Sequence, residues 1–498
     1  MPEVFKNFIN GEWVASKTGA TFNDINPADK SEIVGVFPKS GAEDINTAVE
    51  AASAAFDKWR RTPPPARAEI IYNAEKLLRK KKETIAKTAT KEMGKILDET
   101  KGDVQEAIDT AFYMAGEGRR LFGDTTTSEL KNKFCMSVRM PVGVVGLICP
   151  WNFPVAIPSW KIFPALICGN TVVLKPASDA PASSMELVSV LEEAGMPKGV
   201  VNLVHGTGEE AGMPLVEHPK ANLISFTGSA DVGRRIAETC GKSLKRCSLE
   251  LGGKNAQIVM DDANIDLAVD GALWGAFGTT GQRCTATSRL IVHKDILKEF
   301  TEKFVERTKR IRIGNGLSAN TDMGPVINES QLKKIHSFVD IGKKEGARLL
   351  TGGYFYEEGE CKKGFFYMPT IFMDGHTSMR IAQEEIFGPV VVILPVNSFD
   401  EAIEVMNNTG YGLSSSIYTR DINKAFKAVS DIQAGITYIN SPTIGAEMHL
   451  PFGGMKNSGN GHREAGKEVL NIFSEWKAVY IDYSGRLQKA QIDTVKEK

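Results

Sequence analysis

Apolar residues recur at helical spacing in INTAVEAASAAFDKWRR and again in AEIIYNAEKLLRKKKETIAKTATKEMGK, so the segment from about residue 44 to 118 reads as helical. From residue 141 the pattern changes. Short apolar runs (VGVVGLIC, NTVVLKP, GVVNLVHG, ANLISFTGS, NAQIVM, SRLIVH, VVVILPV) alternate with amphipathic stretches such as SSMELVSVLEEAG, ADVGRRIAETC, ILKEFTEKFVERTKRI and QLKKIHSFVDIGKKEG. Alternation of strand and helix on this scale predicts an α/β protein with doubly wound parallel sheets. No internal repeat and no long Pro/Gly/Ser linker marks a domain boundary. The final segment, GRLQKAQIDTVKEK, is polar and is expected to be loosely ordered.

One apolar stretch competes with that picture. MPVGVVGLICPWNFPVAIPSW, from Met140 to Trp160, carries no charge and is long enough to span a bilayer. Pro141, Pro150, Pro154 and Pro158 would break a spanning helix repeatedly, so the expectation is a buried strand, VGVVGLIC, followed by an irregular loop.

Composition adds limits. In 498 residues, 60 Lys and Arg balance 61 Asp and Glu, which gives no electrostatic case for nucleic acid or an acidic membrane. The seven cysteines, Cys135, Cys149, Cys168, Cys240, Cys247, Cys284 and Cys361, include no CxxC pair. They predict a reduced, cytoplasmic protein with neither a disulfide framework nor a thiolate metal site. The start, MPEVFKNFINGEW, lacks the basic and apolar regions of a secretory signal.

Six short stretches carry candidate chemistry, and each admits a plainer structural reading. In ANLISFTGSADVGRRIAETC a strand runs through a glycine turn into a helix that Ser229 would cap, with Asp231 in its first turn. A helix start at a strand's carboxyl end suits a pyrophosphate, yet Ala230 replaces the second glycine of GxGxxG, and an ordinary strand–turn–helix reads the same way. NTVVLKPAS ends a strand with Lys175, Pro176 and Ser178, where a lysine either meets a ligand or simply reaches solvent. In CPWNFP, Pro150 and Pro154 fix the backbone around Asn152, whose amide could hold an oxyanion or only a turn. In SLELGGKN, Glu250 points away from Leu249 and Leu251, as a general base with a raised pKa or as an ion-paired surface residue. EEIFGPV offers Glu384 and Glu385 as ribose ligands or as a solvated pair. Cys284, in GTTGQRCTATSR, is then a nucleophile or one more buried thiol.

The ordered set resembles the aldehyde dehydrogenase superfamily from about residue 6 to about residue 483: PWNFP, the KP strand end, FTGS, LELGGK, GQRC, EEIFGPV and, at 451–466, PFGGMKNSGNGHREAG. The resemblance implies a Rossmann-like cofactor domain over 1–122 and 142–252, an α/β catalytic domain over 253–458, and a β-arm for oligomerisation from 123–141 and 474–486. It implies a homodimer or homotetramer acting on a small aldehyde. Cys284 would attack as the thiolate, the Asn152 amide would hold the oxyanion, and Glu250 would activate water; Lys161 and Glu464 match positions linked to proton transfer. The cofactor, NAD or NADP, would lie along Ile148, Pro150, Trp151, Lys175, Ser178, Gly208, Phe226, Thr227, Gly228, Ser229, Glu385 and Phe387. Glu250 argues against an acylating relative that hands its thioester to coenzyme A, and no metal is implied. Ser178 departs from the Glu common in NAD-preferring members, which implies that NADP is accepted. SPTIGAEMHLPFGG, residues 441–454, resembles the loop of members that oxidise semialdehydes of dicarboxylic acids such as 2-oxoglutarate semialdehyde.

Overall fold

A computed structural model describes residues 3–496. Two seven-stranded sheets dominate it. The first runs in the order Arg246–Glu250, Ala221–Thr227, Val144–Ile148, Thr171–Lys175 and Val201–Leu203, all parallel, and is closed at one edge by the antiparallel pair Asn7–Ile9 and Glu12–Val14. Val144–Ile148 and Thr171–Lys175 are buried along their whole length, as the near-continuous apolar runs require of strands covered on both faces. Helices Pro64–Met93, Leu97–Glu117, Ala156–Ile167 and Ala182–Glu193 pack on one face; Ala42–Arg61 and Ala230–Lys242 pack on the other.

The long helical segment is thus three helices. Pro64 opens the second at a position that needs no N–H, and Gly94 ends it with φ 91°.

The second sheet runs Arg348–Thr351, Thr370–Met373, Val390–Val396, Arg289–His293, Ala256–Val259, Ser414–Tyr418 and Ile436–Ile439, parallel except for its first strand. Helices Ile265–Phe277 and Lys294–Thr308 cover one face, and Glu329–Lys344 and Phe399–Asn407 the other. A third, three-stranded sheet pairs Ser474–Asp482 with Lys133–Pro141 over nine residues and adds Thr125–Thr127. Trp476, Tyr480 and Ile481 stand exposed on it.

The Pro-rich stretch corrects one expectation. After the strand Val144–Ile148 the chain forms helix Ala156–Ile167 instead of staying irregular. Pro158 lies in its first turn, where no intrahelical N–H is needed. Asp103 Oδ1, from another helix, accepts the Ala156 N–H at 2.7 Å and so caps the new helix from outside the local sequence. The polar C-terminal segment also holds more order than expected: Gln488 Nε2 donates to the Lys131 carbonyl at 2.8 Å and a short helix covers Asp493–Lys496; its last two residues lie outside the described residues. Among the described residues no helix is long and apolar enough to cross a membrane.

Candidate active site

The carboxyl ends of the first sheet's strands face a cleft, where ligands bind in parallel sheets, and the second sheet meets it with the loops before its strands: Gly252 precedes Ala256–Val259, Cys284 precedes Arg289–His293 and Phe387 precedes Val390–Val396. Cys284 follows helix Ile265–Phe277 through the turn Gly278–Gly281. Thr279 and Thr280 there hold φ of 52° and 58°, a left-handed conformation that costs energy for non-glycine residues. The turn is held from several directions. Thr279 N donates to Glu99 Oε1 at 2.7 Å, Thr280 Oγ1 to the Gly324 carbonyl at 2.9 Å, and Asn255 Nδ2 to the Cys284 carbonyl at 2.7 Å. Backbone N–H groups of Cys284 and Thr285 point at the sulfur.

Two chambers meet at that sulfur. One, of about 660 Å³, is walled by Pro150, Trp151, Asn152, Thr227, Gly228, Ser229, Gly252, Gln331, Lys334, Glu385 and Phe387. The other, of about 610 Å³, is walled by Glu106, Phe153, Trp160, Glu250, Arg283, Thr285, Gly445, Ala446, Phe452 and Glu464. Ile157, Thr227, Leu251 and Cys284 belong to both.

In the first chamber the FTGS turn is pinned by Gly228 N, which donates to the Glu250 carbonyl at 3.1 Å. Ser229 caps helix Ala230–Lys242, its hydroxyl accepting from Val232 N, so the helix start faces the chamber with its partial positive charge. Glu385 is fixed by the Gly253 N–H at 3.0 Å, and a Cβ on Gly252 would come within 2.3 Å of that carboxylate. Phe387, at φ 61°, packs edge-on against Trp151 at 5.4 Å. These backbone N–H groups, the helix start and an acidic group at the rim are a donor and acceptor set that suits a dinucleotide.

Ile148, Phe226, Lys175, Ser178 and Gly208 wall neither chamber. Ile148 and Phe226 are core residues at adjacent strand ends. Lys175 is buried, its amine donating to the carbonyls of Pro176 and Gly206, and burial holds its pKa down at about 8. Ser178 Oγ also donates to Gly206 O, at 3.0 Å. The turn Gly208–Gly212 closes over this group, with Gly212 against the Lys175 stem. Lys175, Ser178 and the Gly208–Gly212 turn thus form a patch outside both chambers, linked to the first through Ile148, which pairs with both Lys175 and Phe226, and through Phe226, which lies against Gly228.

In the second chamber Glu250 is buried and both its carboxylate oxygens are without partners. Burial, and then the charge of Glu464, raise its pKa well above the usual carboxylate range. Glu464 pairs in turn with buried Lys161, which also donates to Ser225 Oγ at 2.9 Å. Asn152 Nδ2 spends one proton on the Gln282 carbonyl at 3.0 Å, leaving a second N–H on the amide. The loop behind it is anchored by Lys95, whose amine reaches the Asn152 carbonyl, Asp103 and the Phe153 ring.

Burial, then the nearby Glu385 and Glu250, push the Cys284 thiol up to about 12. The expected thiolate is therefore not the resting form, and a base must take the proton. The other six cysteines lie outside both chambers.

The family profile of aldehyde dehydrogenases matches residues 13–479. The chain belongs to the aldehyde dehydrogenase family. This dehydrogenase is 44% identical to alpha-ketoglutaric semialdehyde dehydrogenase of Bacillus subtilis, over 96% of its own length and 98% of that protein's. It is 43% identical to alpha-ketoglutarate semialdehyde dehydrogenase of Haloferax volcanii, over 97% and 100%. The crystal structure of betaine aldehyde dehydrogenase from Staphylococcus aureus in complex with NAD+ superposes with a TM-score of 0.94 at 36% identity, covering 97% of this chain and 96% of that one. The dehydrogenase accordingly has the Rossmann-type cofactor domain and α/β catalytic domain of its family, and it oxidises an aldehyde with NAD or NADP by way of a cysteine.

Reading the sequence missed several residues that shape this site. Glu99, Lys95 and Asp103 sit in a helical region that read as ordinary amphipathic surface, and each acts on a residue more than fifty positions away or across a turn. Gln331 and Lys334 reach the first chamber from helix Glu329–Lys344, whose period marks it only as a helix. Arg283, the residue just before the nucleophile in GQRC, walls the second chamber.

Proposed function

We propose that Cys284 is the nucleophile and Glu250 the base that serves it twice. The observation that carries this reading is the sulfur's place at the junction of the two chambers, with an unpartnered carboxyl on one side only. Glu250 first takes the thiol proton, since a thiol is a poor nucleophile and Cys284 does not lose its proton unaided. The free Asn152 N–H and the backbone N–H of Cys284 hold the oxygen of the adduct as it becomes negative. A nicotinamide bound in the first chamber would accept hydride from that adduct. Glu250 passes the thiol proton to solvent and then draws a proton from the water that attacks the thioester, the acid leaving as the C–S bond breaks and Cys284 departs as the thiolate. Lys161 and Glu464 are positioning and proton-holding groups: the pair fixes the charge beside Glu250 without entering the bond changes.

The cofactor would run from Trp151, Glu385 and Phe387 past Thr227, Gly228 and Ser229 to Lys175, Ser178 and Gly208, with Ile148, Pro150 and Phe226 beneath it. NADP is accepted because Ser178 brings no carboxylate to the adenosine ribose, although its hydroxyl must leave Gly206 to meet a 2′-phosphate. The divisions at 1–122 with 142–252, 253–458, and 123–141 with 474–486 follow the three sheets. The exposed aromatic face of the small sheet supports its use between subunits of a homodimer or homotetramer, since an uncovered strand edge invites pairing. Free cysteines throughout support a reduced, cytoplasmic setting.

The substrate class is a dicarboxylic semialdehyde. Arg283 supports it, because its guanidinium stands in the chamber wall beside the nucleophile, and the relatives named for alpha-ketoglutarate semialdehyde point the same way. A panel of semialdehydes and neutral aldehydes of matched length, each with NAD and with NADP, tests it. Carboxylate-tailed aldehydes should give the highest kcat/KM; a uniform preference for neutral aldehydes would refute the class.

A further inference from the structure

The substrate chamber contains a carboxyl that the reaction does not use. Glu106, on helix Leu97–Glu117, stands in its wall with Arg283, and its side chain has no hydrogen-bond partner among the described residues. Arg283 is held but only partly engaged, two of its five N–H donors being used. Its Nε donates to Thr279 Oγ1 at 2.8 Å, one Nη2 proton goes to Glu99 at 3.1 Å, and Phe153 and Trp274 lie 5.2 and 5.1 Å from its guanidinium carbon. Both Nη1 protons and the second Nη2 proton are left for a ligand. Glu99 already offsets the guanidinium charge, as Asp103 offsets Lys95 and Glu464 offsets Lys161. The chamber thus has no spare cation. A carboxylate tail entering beside an ionised Glu106 meets net repulsion; beside a protonated Glu106 it gains an O–H donor next to the Arg283 N–H.

We propose that Glu106 is a specificity-determining residue that seats a carboxylate-tailed aldehyde together with Arg283 when protonated and repels that tail when ionised. The proposal rests on the dicarboxylic reading of the substrate.

The groups facing Glu106 set its balance. Asp103 and Asp109 come from its own helix, and Lys95 from the segment just before it; Arg283 comes from the nucleophile loop and Tyr438 from strand Ile436–Ile439. Glu250, Cys284 and Glu464 complete the chamber. Burial and Asp103 raise the Glu106 pKa, against Lys95 and Arg283, to about 7. A raised carboxyl pKa means that the proton is present below this value and lost above it, so the preference for an anionic tail is greatest at low pH.

The test compares kcat/KM for glutarate semialdehyde with kcat/KM for pentanal at saturating cofactor from about pH 6 to about pH 8.5, a range that brackets the Glu106 titration. Titration of Cys284 and Glu250 acts on both aldehydes and largely cancels in the ratio. In the parent enzyme the ratio should fall about tenfold or more across the range, the size expected for one like charge nearby in a partly wet site. In Glu106→Gln the ratio should stay at its low-pH level within about twofold, and Glu106→Asp should restore the fall, which separates the carboxyl from any damage to the fold. A parent ratio that is high but flat, or a Glu106→Gln ratio that falls like the parent's, overturns the role of Glu106 alone. A ratio below one at every pH in both proteins overturns the dicarboxylic reading itself.

Discussion

The cofactor chamber and the substrate chamber share the Cys284 sulfur but are built differently. The cofactor side is largely backbone: a glycine turn and a helix start made by residues close together in the chain, with the Glu385 carboxylate held by the Gly253 N–H from a distant segment. The substrate side is made of side chains from distant segments, and its ionisable groups are backed by ion pairs: Lys161 with Glu464, Arg283 with Glu99, and Lys95 with Asp103 behind them. Backbone donors supply a fixed geometry that no change of pH alters. Coupled side chains supply tunable charge and carry a heavier desolvation cost. Changes on the substrate side should therefore alter rate and pH dependence, and changes on the cofactor side should alter cofactor affinity and choice.

The largest expected effect removes the shared atom. Cys284→Ala should lower kcat by about 10⁴-fold or more, as loss of a covalent nucleophile does, while NAD or NADP still binds as judged by quenching of intrinsic fluorescence. Loss of cofactor binding in that variant would mean that the two chambers are not separable. Next comes Asn152→Ala, expected to cost about 10²–10³-fold in kcat, the range for one oxyanion donor. An effect confined to KM would place Asn152 in binding only.

The sequence made one chamber legible and left the other mostly hidden, for the same physical reason. Gly228 and Ser229 sit in a stretch whose turn chemistry is local and wall the first chamber, as does Glu385, whereas Lys175, read from the same kind of strand end, walls neither chamber. Helix Leu97–Glu117 supplies Glu99, Asp103 and Glu106 from what reads as a solvated face, and only packing of the two domains turns that face inward. The helix at Ala156–Ile167 was hidden likewise: its cap is Asp103, which no scan of its own prolines reveals.

A smaller effect sharpens the cofactor side. Ser178→Glu should move the NADP/NAD preference about tenfold to a hundredfold towards NAD, matching the worth of a hydrogen bond to a charged group, as read from kcat/KM for both cofactors. An unchanged ratio would locate discrimination elsewhere in the groove. The smallest concerns the resting thiol. Because burial and two carboxyls raise the Cys284 pKa to about 12, the thiolate fraction is low at neutral pH and grows as pH rises. Alkylation of Cys284 by iodoacetamide without cofactor should accelerate about tenfold per pH unit between about pH 7 and about pH 9. A rate that has already levelled off by neutral pH would show a resting thiolate.

The central claim is that Glu250 serves the substrate side as the base that releases the acid. Rapid mixing of Glu250→Gln with aldehyde and NAD or NADP, at alkaline pH where hydroxide can replace the base in forming the thiolate, addresses it directly. Absorbance of the reduced cofactor should rise in a burst of about one equivalent per site and then creep, with steady turnover down by about 10²–10⁴-fold. Steady turnover equal to the parent enzyme's, with no burst, would contradict the assignment.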